Sequence, residues 1–371
     1  MKTVCEKNKC TGCMACIDAC PRNAIQLQDE LSNYNMTIDL KKCINCNACH
    51  NVCTNVNPVT LSTPKNWYQG WIKNDELRKE CSSGGAVAAV AAAFIKAEGS
   101  VYSCLFKEGA FVFEGAETED ELKKFIGSKY VKSNPAGIYQ EIKCKLKAGK
   151  KVLFIGLPCQ VAAVKNFVGI KLEKNLYTGD LICHGTPSPQ VLEQFLKQYG
   201  YSLEKMNEIQ FRKKARFQLR IDKSELITKG VSDRYSIAFL NSLIYTDNCY
   251  ECPYAQKERV SDITFGDSWG SCLAVEEQKR GISLLLCQSE KGLEMLEKSN
   301  LQLEEVDLEK AMENNHQLTH PSVLPSGRDK FFRKIKENKT FNKLVFQCCP
   351  KQCLVQDVKN VLIKMKIITR E

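Results

Sequence analysis

Eight cysteines near the start of the chain fall into two runs with the same spacing. The first run, CTGCMACIDACP, contains Cys10, Cys13, Cys16 and Cys20, and the second, CINCNACHNVCT, contains Cys43, Cys46, Cys49 and Cys53. In a C-x2-C-x2-C-x3-C run, a tight loop presents three thiolates to one cuboidal 4Fe–4S cluster, and the fourth cysteine binds the other cluster. We therefore expect one cluster on Cys10, Cys13, Cys16 and Cys53, and a second on Cys43, Cys46, Cys49 and Cys20.

The segments beside these runs predict the rest of a small ferredoxin module. AIQLQ follows the first run and MTIDL precedes the second, and both are typical of short strands in a bacterial-type dicluster ferredoxin over residues 1–60. A pair of zinc sites is the alternative, but zinc sites do not generally repeat four cysteines at this spacing. Two adjacent clusters form a path for electrons, which requires a further redox group in the residues that follow.

A second set of thiols follows predicted strands in the body of the chain. From residue 137 helical and strand patterns alternate, which predicts parallel strands with crossover helices. Cys159 in GLPCQ and Cys183 in LICHG each follow such a strand, and ligands bind at the carboxyl ends of parallel strands. Cys249 and Cys252 form a C-x2-C pair in NCYECPY. Together these give the four thiols that a cluster or a zinc ion requires, although either strand-end cysteine alone is more often a buried packing residue.

The segment CSSGGAVAAV predicts the start of an Ala-rich helix after Ser82 or Ser83. Two glycines at a helix N-terminus let backbone amides approach an anionic ligand. A capped helix packed closely on a neighbour explains the same residues equally well. This segment follows a polar stretch, residues 61–80, which we interpret as a linker.

Composition limits the class of protein. The chain has 371 residues, of which 43% are hydrophobic and 26% charged, as in a globular protein of two or three domains. With no signal peptide or membrane span in the sequence we expect a cytoplasmic protein, in which 21 cysteines serve metal or redox chemistry rather than disulfides.

The positive charge is concentrated at the end of the chain. Residues 328–371 contain 12 Lys and Arg against 4 Asp and Glu, so they account for +8 of the net charge of +10. A nearly neutral body argues against nucleic-acid binding. We interpret 328–371 as a basic C-terminal extension, either a helix packed on the body or a contact for an acidic partner or an anionic membrane surface.

With these segments assembled, residues 81 to about 303 resemble the coenzyme F420 hydrogenase/dehydrogenase beta-subunit family. The resemblance is carried, in order, by SSGGAVAAV, GSKYVKS, GLPCQVAAVKN, LICHGTPSPQV, NCYECPY and SDITFGDSWG. It implies an α/β flavin-binding body over 81–327 with a partly parallel sheet, giving an α+β / α/β chain overall. It also implies FAD and a third 4Fe–4S cluster. The implied cluster ligands are Cys159, Cys183, Cys249 and Cys252, and the implied FAD contacts are Ser83, Gly84, Gly85, Lys129 and Gly266.

The leading functional hypothesis is an iron–sulfur flavoprotein reductase or dehydrogenase. Electrons would pass between a redox partner protein, the ferredoxin clusters, the third cluster and FAD, and then to or from a deazaflavin-like or other small organic substrate. Bacterial members that resemble this chain often accompany surface-polysaccharide biosynthesis. The alternative is an electron-transfer subunit that docks on a separate catalytic protein and has no small substrate of its own.

Overall fold

The computed structural model describes residues 2–368, whose strands form a two-stranded, a three-stranded and an eight-stranded sheet. The strands are β1 (Ile25–Asp29), β2 (Tyr34–Ile38), β3 (Asn66–Ile72), β4 (Ser100–Lys107), β5 (Ala110–Ala116), β6 (Val152–Gly156), β7 (Leu176–Leu181), β8 (Ile209–Lys213), β9 (Arg216–Ile221), β10 (Ser224–Glu225), β11 (Ile263–Asp267), β12 (Ser283–Cys287) and β13 (Leu301–Glu304). The helices are α1 (Ala15–Ala19), α2 (Ala48–Val52), α3 (Asp75–Glu80), α4 (Ala86–Lys96), α5 (Ile138–Lys147), α6 (Pro158–Val168), α7 (Pro189–Lys197), α8 (Arg234–Leu240), α9 (Val275–Arg280), α10 (Glu290–Glu297), α11 (Leu308–Glu313), α12 (Arg328–Lys336), α13 (Phe341–Cys348) and α14 (Pro350–Lys364).

A mixed eight-stranded sheet is the centre of the body, in the order β13-β3-β12-β11-β7-β6-β4-β5. Strands β4, β6, β7 and β11 are parallel to their neighbours in this group, whereas the outer pairs are antiparallel. Every residue of β6 (VLFIG) is buried, as expected for a parallel strand covered on both faces. The α/β class and the partly parallel sheet are therefore confirmed.

The predicted crossover unit is present in the structure. Helix α6 connects β6 to β7, and these two strands pair in parallel, with Ile155 opposite Gly179. The loops that follow β6 and β7 consequently leave the sheet at the same edge. Cys159 and Cys183 lie in those two segments.

The predicted linker over residues 61–80 is wrong for most of its length. The segment NWYQGWI forms β3, which pairs with both β12 and β13 inside the large sheet. Helix α3 follows, and its Arg78 side chain is buried. Polar and Pro residues before Asn66 are typical of a linker, but the aromatic and β-branched residues after it favour a strand.

The ferredoxin segment packs directly on the body. Its strands β1 and β2 form an antiparallel hairpin. The Asp18 carboxylate in α1 accepts hydrogen bonds from the backbone N–H of Gly137 (2.7 Å) and Tyr139 (3.2 Å) at the start of α5. A negative charge is favourable at this end of a helix. The first 60 residues are thus held against α5 and α6, with which they share one hydrophobic core.

A second core lies around the three-stranded sheet β10-β9-β8. Helices α12 and α13 belong to this core, since Phe331 and Phe341 are fully buried and their rings lie 5.4 Å apart. Of the two interpretations of residues 328–371, packing on the body is therefore the one that α12 and α13 follow. The high density of basic residues there masks buried positions that recur at helical spacing.

Helix α14 differs from the helices before it because most of its apolar residues face solvent. Val355, Val358, Val361 and Met365 are 52–64% exposed, whereas Cys353 and Ile363 are buried. Within residues 2–368, no helix is long and apolar enough to cross a membrane.

Candidate iron–sulfur site

The ferredoxin cysteines line two separate cavities. One cavity is lined by Cys10, Cys13, Cys16 and Cys53, which we call the inner ferredoxin site. The other cavity is lined by Cys20, Cys43, Cys46 and Cys49, which we call the outer ferredoxin site. The structure thus groups the eight cysteines in the crossed arrangement that the spacing predicts.

Two very short helices produce this crossing. Helix α1 begins after Met14 and α2 after Asn47, both of which adopt a left-handed backbone conformation that turns the chain out of the cysteine loop. Each helix ends at the fourth cysteine of its run, Cys20 or Cys53. One helical turn therefore carries that thiol away from the other three and towards the opposite cavity.

The two sites differ in exposure. The cysteines of the inner ferredoxin site are 6–9% exposed. At the outer ferredoxin site Cys46 is exposed, and the apolar side chain of Ile44 beside it is 59% exposed. Lys2 and Arg22 line the outer cavity, and no carboxylate of residues 2–368 lines it. The outer site faces solvent with a basic rim.

Cys5 is a fifth thiol at the inner ferredoxin site and was not predicted. It lines the same cavity and lies within hydrogen-bond reach of Cys10 and Cys53. The Asn55 side-chain amide donates to Cys5 Sγ at 3.7 Å. The hydrogen bond with Cys10, followed by burial, raises the pKa of Cys5 to about 11. Because Cys5 stands outside the C-x2-C spacing, no local pattern signals it.

Four cysteines of the body come together at one edge of the large sheet, and we call them the body thiol site. Cys159 is the second residue of α6, Cys183 follows β7, and Cys249 and Cys252 lie in and just after a 3-10 turn over Asp247–Glu251. Burial raises the pKa of Cys159 well above its usual value, and nearby Cys252 and Cys183 raise it further. Burial likewise raises the pKa of Cys183 to about 12, with further contributions from Cys249 and Cys252.

The donor set fits an iron–sulfur cluster. Sets of four cysteine thiolates hold such clusters. The positive charge of the bound iron stabilises the thiolates, which are unfavourable when they are buried alone. No group of three or more His, Cys, Asp or Glu side chains in the part of the chain described is arranged to hold a single metal ion. A cuboidal cluster has no such requirement, because each thiolate binds a different iron.

A buried ion pair joins the two segments that supply the body thiols. Arg259, seven residues after Cys252, donates to Asp180 Oδ1 at 3.1 Å from Nη2 and to the Tyr254 carbonyl at 2.7 Å from Nη1. Asp180 lies in β7, three residues before Cys183. Arg259 thereby fixes the loop that contains the C-x2-C pair to the strand that leads to Cys183.

The inner ferredoxin site lies next to the body thiol site. The hydroxyl of the fully buried Tyr139 donates to the Cys13 carbonyl at 2.6 Å. Burial raises the pKa of Tyr139, and both Cys13 and Cys159 add to this effect. Tyr254 is also close to both, since after burial Cys159 and Cys13 raise its pKa. Two tyrosines therefore line the region between Cys13 and Cys159.

The residues predicted as FAD contacts have partners within the protein. The Ser83 hydroxyl donates to the Ile282 carbonyl at 2.9 Å, and Lys129 Nζ donates to the Phe125 carbonyl at 2.7 Å. A Cβ on Gly84 would lie 2.5 Å from the Gly70 carbonyl oxygen, and one on Gly266 would lie 2.3 Å from the Ile182 side chain. These two glycines permit close packing, which favours the structural alternative for the start of α4. Gly85, with φ +85°, is the N-cap of that helix.

A group of cations surrounds the loop at Ser83. Lys214 Nζ donates to the carbonyl oxygens of Ser83, at 2.9 Å, and Arg78. Burial, opposed by Cys81 and assisted by Arg78 and Arg212, lowers the pKa of Lys214 to about 8. Arg78 and Arg212 pair with Glu277 and Asp267, but Lys214 forms no ion pair within residues 2–368. An anion beside the loop would relieve this repulsion. No sequence pattern signals Lys214, which lies in the turn between β8 and β9.

Comparisons with known proteins identify two segments. Residues 9–56 match the 4Fe-4S dicluster domain. The protein is therefore an iron–sulfur protein whose ferredoxin segment has the cysteines for two clusters. Residues 149–311 match the family that describes the C terminus of the coenzyme F420 hydrogenase/dehydrogenase beta subunit. This match confirms the family resemblance over residues 149–311.

One solved structure is similar over much of the chain. It is a structure of the xenon-derivatized F420-reducing [NiFe] hydrogenase complex from Methanosarcina barkeri. The alignment has 17% sequence identity and a TM-score of 0.49, and covers 69% of this chain and 91% of the other. No curated protein matches the chain.

Proposed function

We propose that the protein is an iron–sulfur flavoprotein oxidoreductase. It moves electrons between two ferredoxin-type 4Fe–4S clusters, a third 4Fe–4S cluster and FAD, to or from a deazaflavin-like or other small organic substrate. The inner and outer ferredoxin sites hold the first two clusters, and Cys159, Cys183, Cys249 and Cys252 hold the third. A role in surface-polysaccharide biosynthesis is one setting for such a reductase.

The proximity of Cys13 to Cys159, with Tyr139 and Tyr254 beside both, carries the proposal. Electron transfer between protein-bound centres depends on short separations through packed atoms. The outer ferredoxin site is exposed and the inner one is buried, so the two sites form an electron path from the protein surface to the body. Electrons enter or leave at the outer site and pass through the inner site. The body thiol site then connects the cysteine loops of residues 10–53 to the interior of the protein.

The chain's own residues perform three tasks in this scheme. The thiolates bind the clusters, the buried side chains around them exclude water, and the Arg259–Asp180 pair holds the two body segments in register. When bound, 4Fe–4S clusters exchange single electrons and FAD couples them to two-electron chemistry.

The cations around Ser83 support FAD as an anionic cofactor of the body. Lys214, which forms no ion pair within residues 2–368, supplies positive charge suited to a pyrophosphate group, whereas Arg78 and Arg212 are already paired with Glu277 and Asp267. Ser83, Gly84, Gly85, Lys129 and Gly266 remain predictions for FAD contacts, with Gly84 and Gly266 contributing through packing. Lys214 joins them as a candidate phosphate contact.

The exposed outer ferredoxin site is the proposed contact for a redox partner protein. Its basic rim, from Lys2 and Arg22, suits an acidic electron carrier. The exposed apolar row of α14, flanked by lysines, offers a second surface for an acidic partner or an anionic membrane. The family to which residues 149–311 belong also supports the second candidate function, an electron-transfer subunit that serves a separate catalytic protein.

An anaerobic preparation distinguishes these functions. Iron, sulfide and flavin are counted per chain, and the protein is then tested with a reduced electron carrier and a series of small organic acceptors. About twelve irons with FAD and turnover of a small acceptor support the flavoprotein reductase. About twelve irons without flavin or small-molecule turnover support the electron-transfer subunit.

A further inference from the structure

Lys132 is a buried cation located between the inner ferredoxin site and the body thiol site. Its side chain is 4% exposed. Nζ donates to the Thr11 carbonyl, in the first cysteine run, at 2.9 Å and lies 5.3 Å from the centre of the Tyr34 ring. The backbone N–H of Lys132 donates to the Pro187 carbonyl at 2.8 Å, which fixes the residue in position.

The first cysteine run is shaped to admit this lysine. Gly12 adopts φ +73°, and a Cβ there would lie 2.8 Å from Lys132 Cδ. Glycine both permits the left-handed conformation and leaves room for the lysine stem. The loop that presents Cys10 and Cys13 therefore encloses the ammonium group.

Lys132 lies in a segment that contacts both strand-end loops of the body thiol site. The side chain of Gln160, next to Cys159, donates to Ser133 Oγ at 3.0 Å, and Pro187, whose carbonyl accepts from Lys132, lies four residues after Cys183. In agreement with this placement, Lys132 is the cation common to the charges that act on Cys159, Cys183 and Cys252. No carboxylate of residues 2–368 forms an ion pair with Lys132. A buried charge without a partner is costly, and the thiolates of the neighbouring cysteine sites are the anionic groups that would offset it.

We infer that Lys132 is a positioning residue that sets the redox potential of the third cluster. This inference rests on the proposed function, because it assumes a four-thiolate cluster at the body thiol site. An added electron increases the negative charge of such a cluster, and the fixed ammonium group stabilises the reduced state more than the oxidised one. When an electron passes between the inner ferredoxin site and the body thiol site, one site loses it and the other gains it.

The test is a redox titration of the anaerobic full chain, followed by electron paramagnetic resonance, in the native protein and Lys132→Met. The variant is expected to lower the ratio of reduced to oxidised third cluster about tenfold at a fixed potential, which equals a shift of about 59 mV to more negative potential. Lys132→Arg keeps the charge and is expected to retain the native potential. An unchanged potential in Lys132→Met with all clusters present overturns the inference.

Lys143→Met is a matched control. Lys143 Nζ also donates to a backbone carbonyl, that of Phe167, at 2.9 Å and lies 5.1 Å from an aromatic ring centre. It is not among the charges that most affect Cys159, Cys183 or Cys252. This variant should leave the potential of the third cluster unchanged, and an equal shift in it contradicts a specific role for Lys132.

Failure to assemble the third cluster is also informative. If Lys132→Met and Lys132→Gln both lack it and Lys132→Arg regains it, the site requires the charge and the inference stands. If the arginine variant also lacks it, Lys132 is a packing residue and the inference fails. A native protein without a third cluster refutes the proposed function instead, independently of any Lys132 variant.

Discussion

Arg259 and Asp180 form an ion pair at 3.1 Å in which the two side chains are 1% and 0% exposed. Burial raises the pKa of Asp180 and the guanidinium opposes this effect, while Asp180 Oδ2 has no hydrogen-bond partner within residues 2–368. Arg259 also donates to the Leu181 carbonyl at 3.1 Å. Burial of this pair has a large desolvation cost, so its role is to fix positions rather than to add stability. It connects β7, which leads to Cys183, with the segment that follows Cys252.

Replacing Arg259 by Met is expected to lower the free energy of unfolding by about 3–5 kcal/mol, because it leaves the Asp180 carboxylate buried without a partner. The third cluster should be lost before the ferredoxin clusters. Denaturant unfolding and cluster spectra measure both effects. Arg280→Met, which removes surface pairs with Asp75 and Glu277, is the control and should cost less than about 1 kcal/mol. Equal losses in the two variants contradict the positioning role.

Replacing Cys20 by Ser tests the crossed arrangement of the ferredoxin cysteines. Cys20 lines the cavity that contains Cys43, Cys46 and Cys49, so the variant should perturb the outer cluster and leave the inner one bound. Spectra of the anaerobic protein separate the two centres, since the outer one is exposed to added oxidants. Selective damage to the inner cluster shows that the assignment is wrong.

The affinity for FAD is expected to fall as pH rises through about 8, the pKa of Lys214 in the free protein. Affinity falls with rising pH because the Lys214 side chain is charged below pH 8 and attracts phosphate. Above pH 8 it is neutral unless the bound anion raises its pKa again. Flavin fluorescence titrations between about pH 7 and 9 measure this dependence.

Lys214→Met should bind FAD more weakly at pH 7 and lose this pH dependence. Lys213→Met, which removes the adjacent exposed lysine, should keep it. A native pH profile in Lys214→Met contradicts contact between Lys214 and the phosphates.

Phe341→Ala tests whether the basic C-terminal segment belongs to the core. Phe341 is 1% exposed and its ring lies 5.2 Å from that of Phe195, so truncation should cost about 3–5 kcal/mol of unfolding free energy. Val355→Ala, at a position 63% exposed in α14, should change it by less than about 0.5 kcal/mol. A small effect of Phe341→Ala supports an extension without a structural role.

The features that can be predicted from the sequence are local in the chain. Cysteine spacing within a loop and hydrophobic runs such as β6 arise from neighbouring residues, and they indicate the ferredoxin module and the parallel strands. Lys132, Lys214 and Arg259 gain their importance only through contacts between distant segments, as between Lys132 and Thr11. Strand β3 is hard to distinguish from a linker because its partners are more than 200 residues away in sequence. Composition is misleading at residues 328–349, where frequent lysines surround buried phenylalanines.

Iron and sulfide analysis of the native protein and Cys159→Ser, prepared anaerobically, tests the central claim most directly. Cys159 should be a ligand of the third cluster, so the native chain should contain about twelve irons and the variant about eight. The ferredoxin spectra should be preserved while reduction of the bound flavin by an electron carrier is lost. A variant that keeps the native iron content and spectrum, or a native protein with about eight irons, contradicts an electron path through the body thiol site.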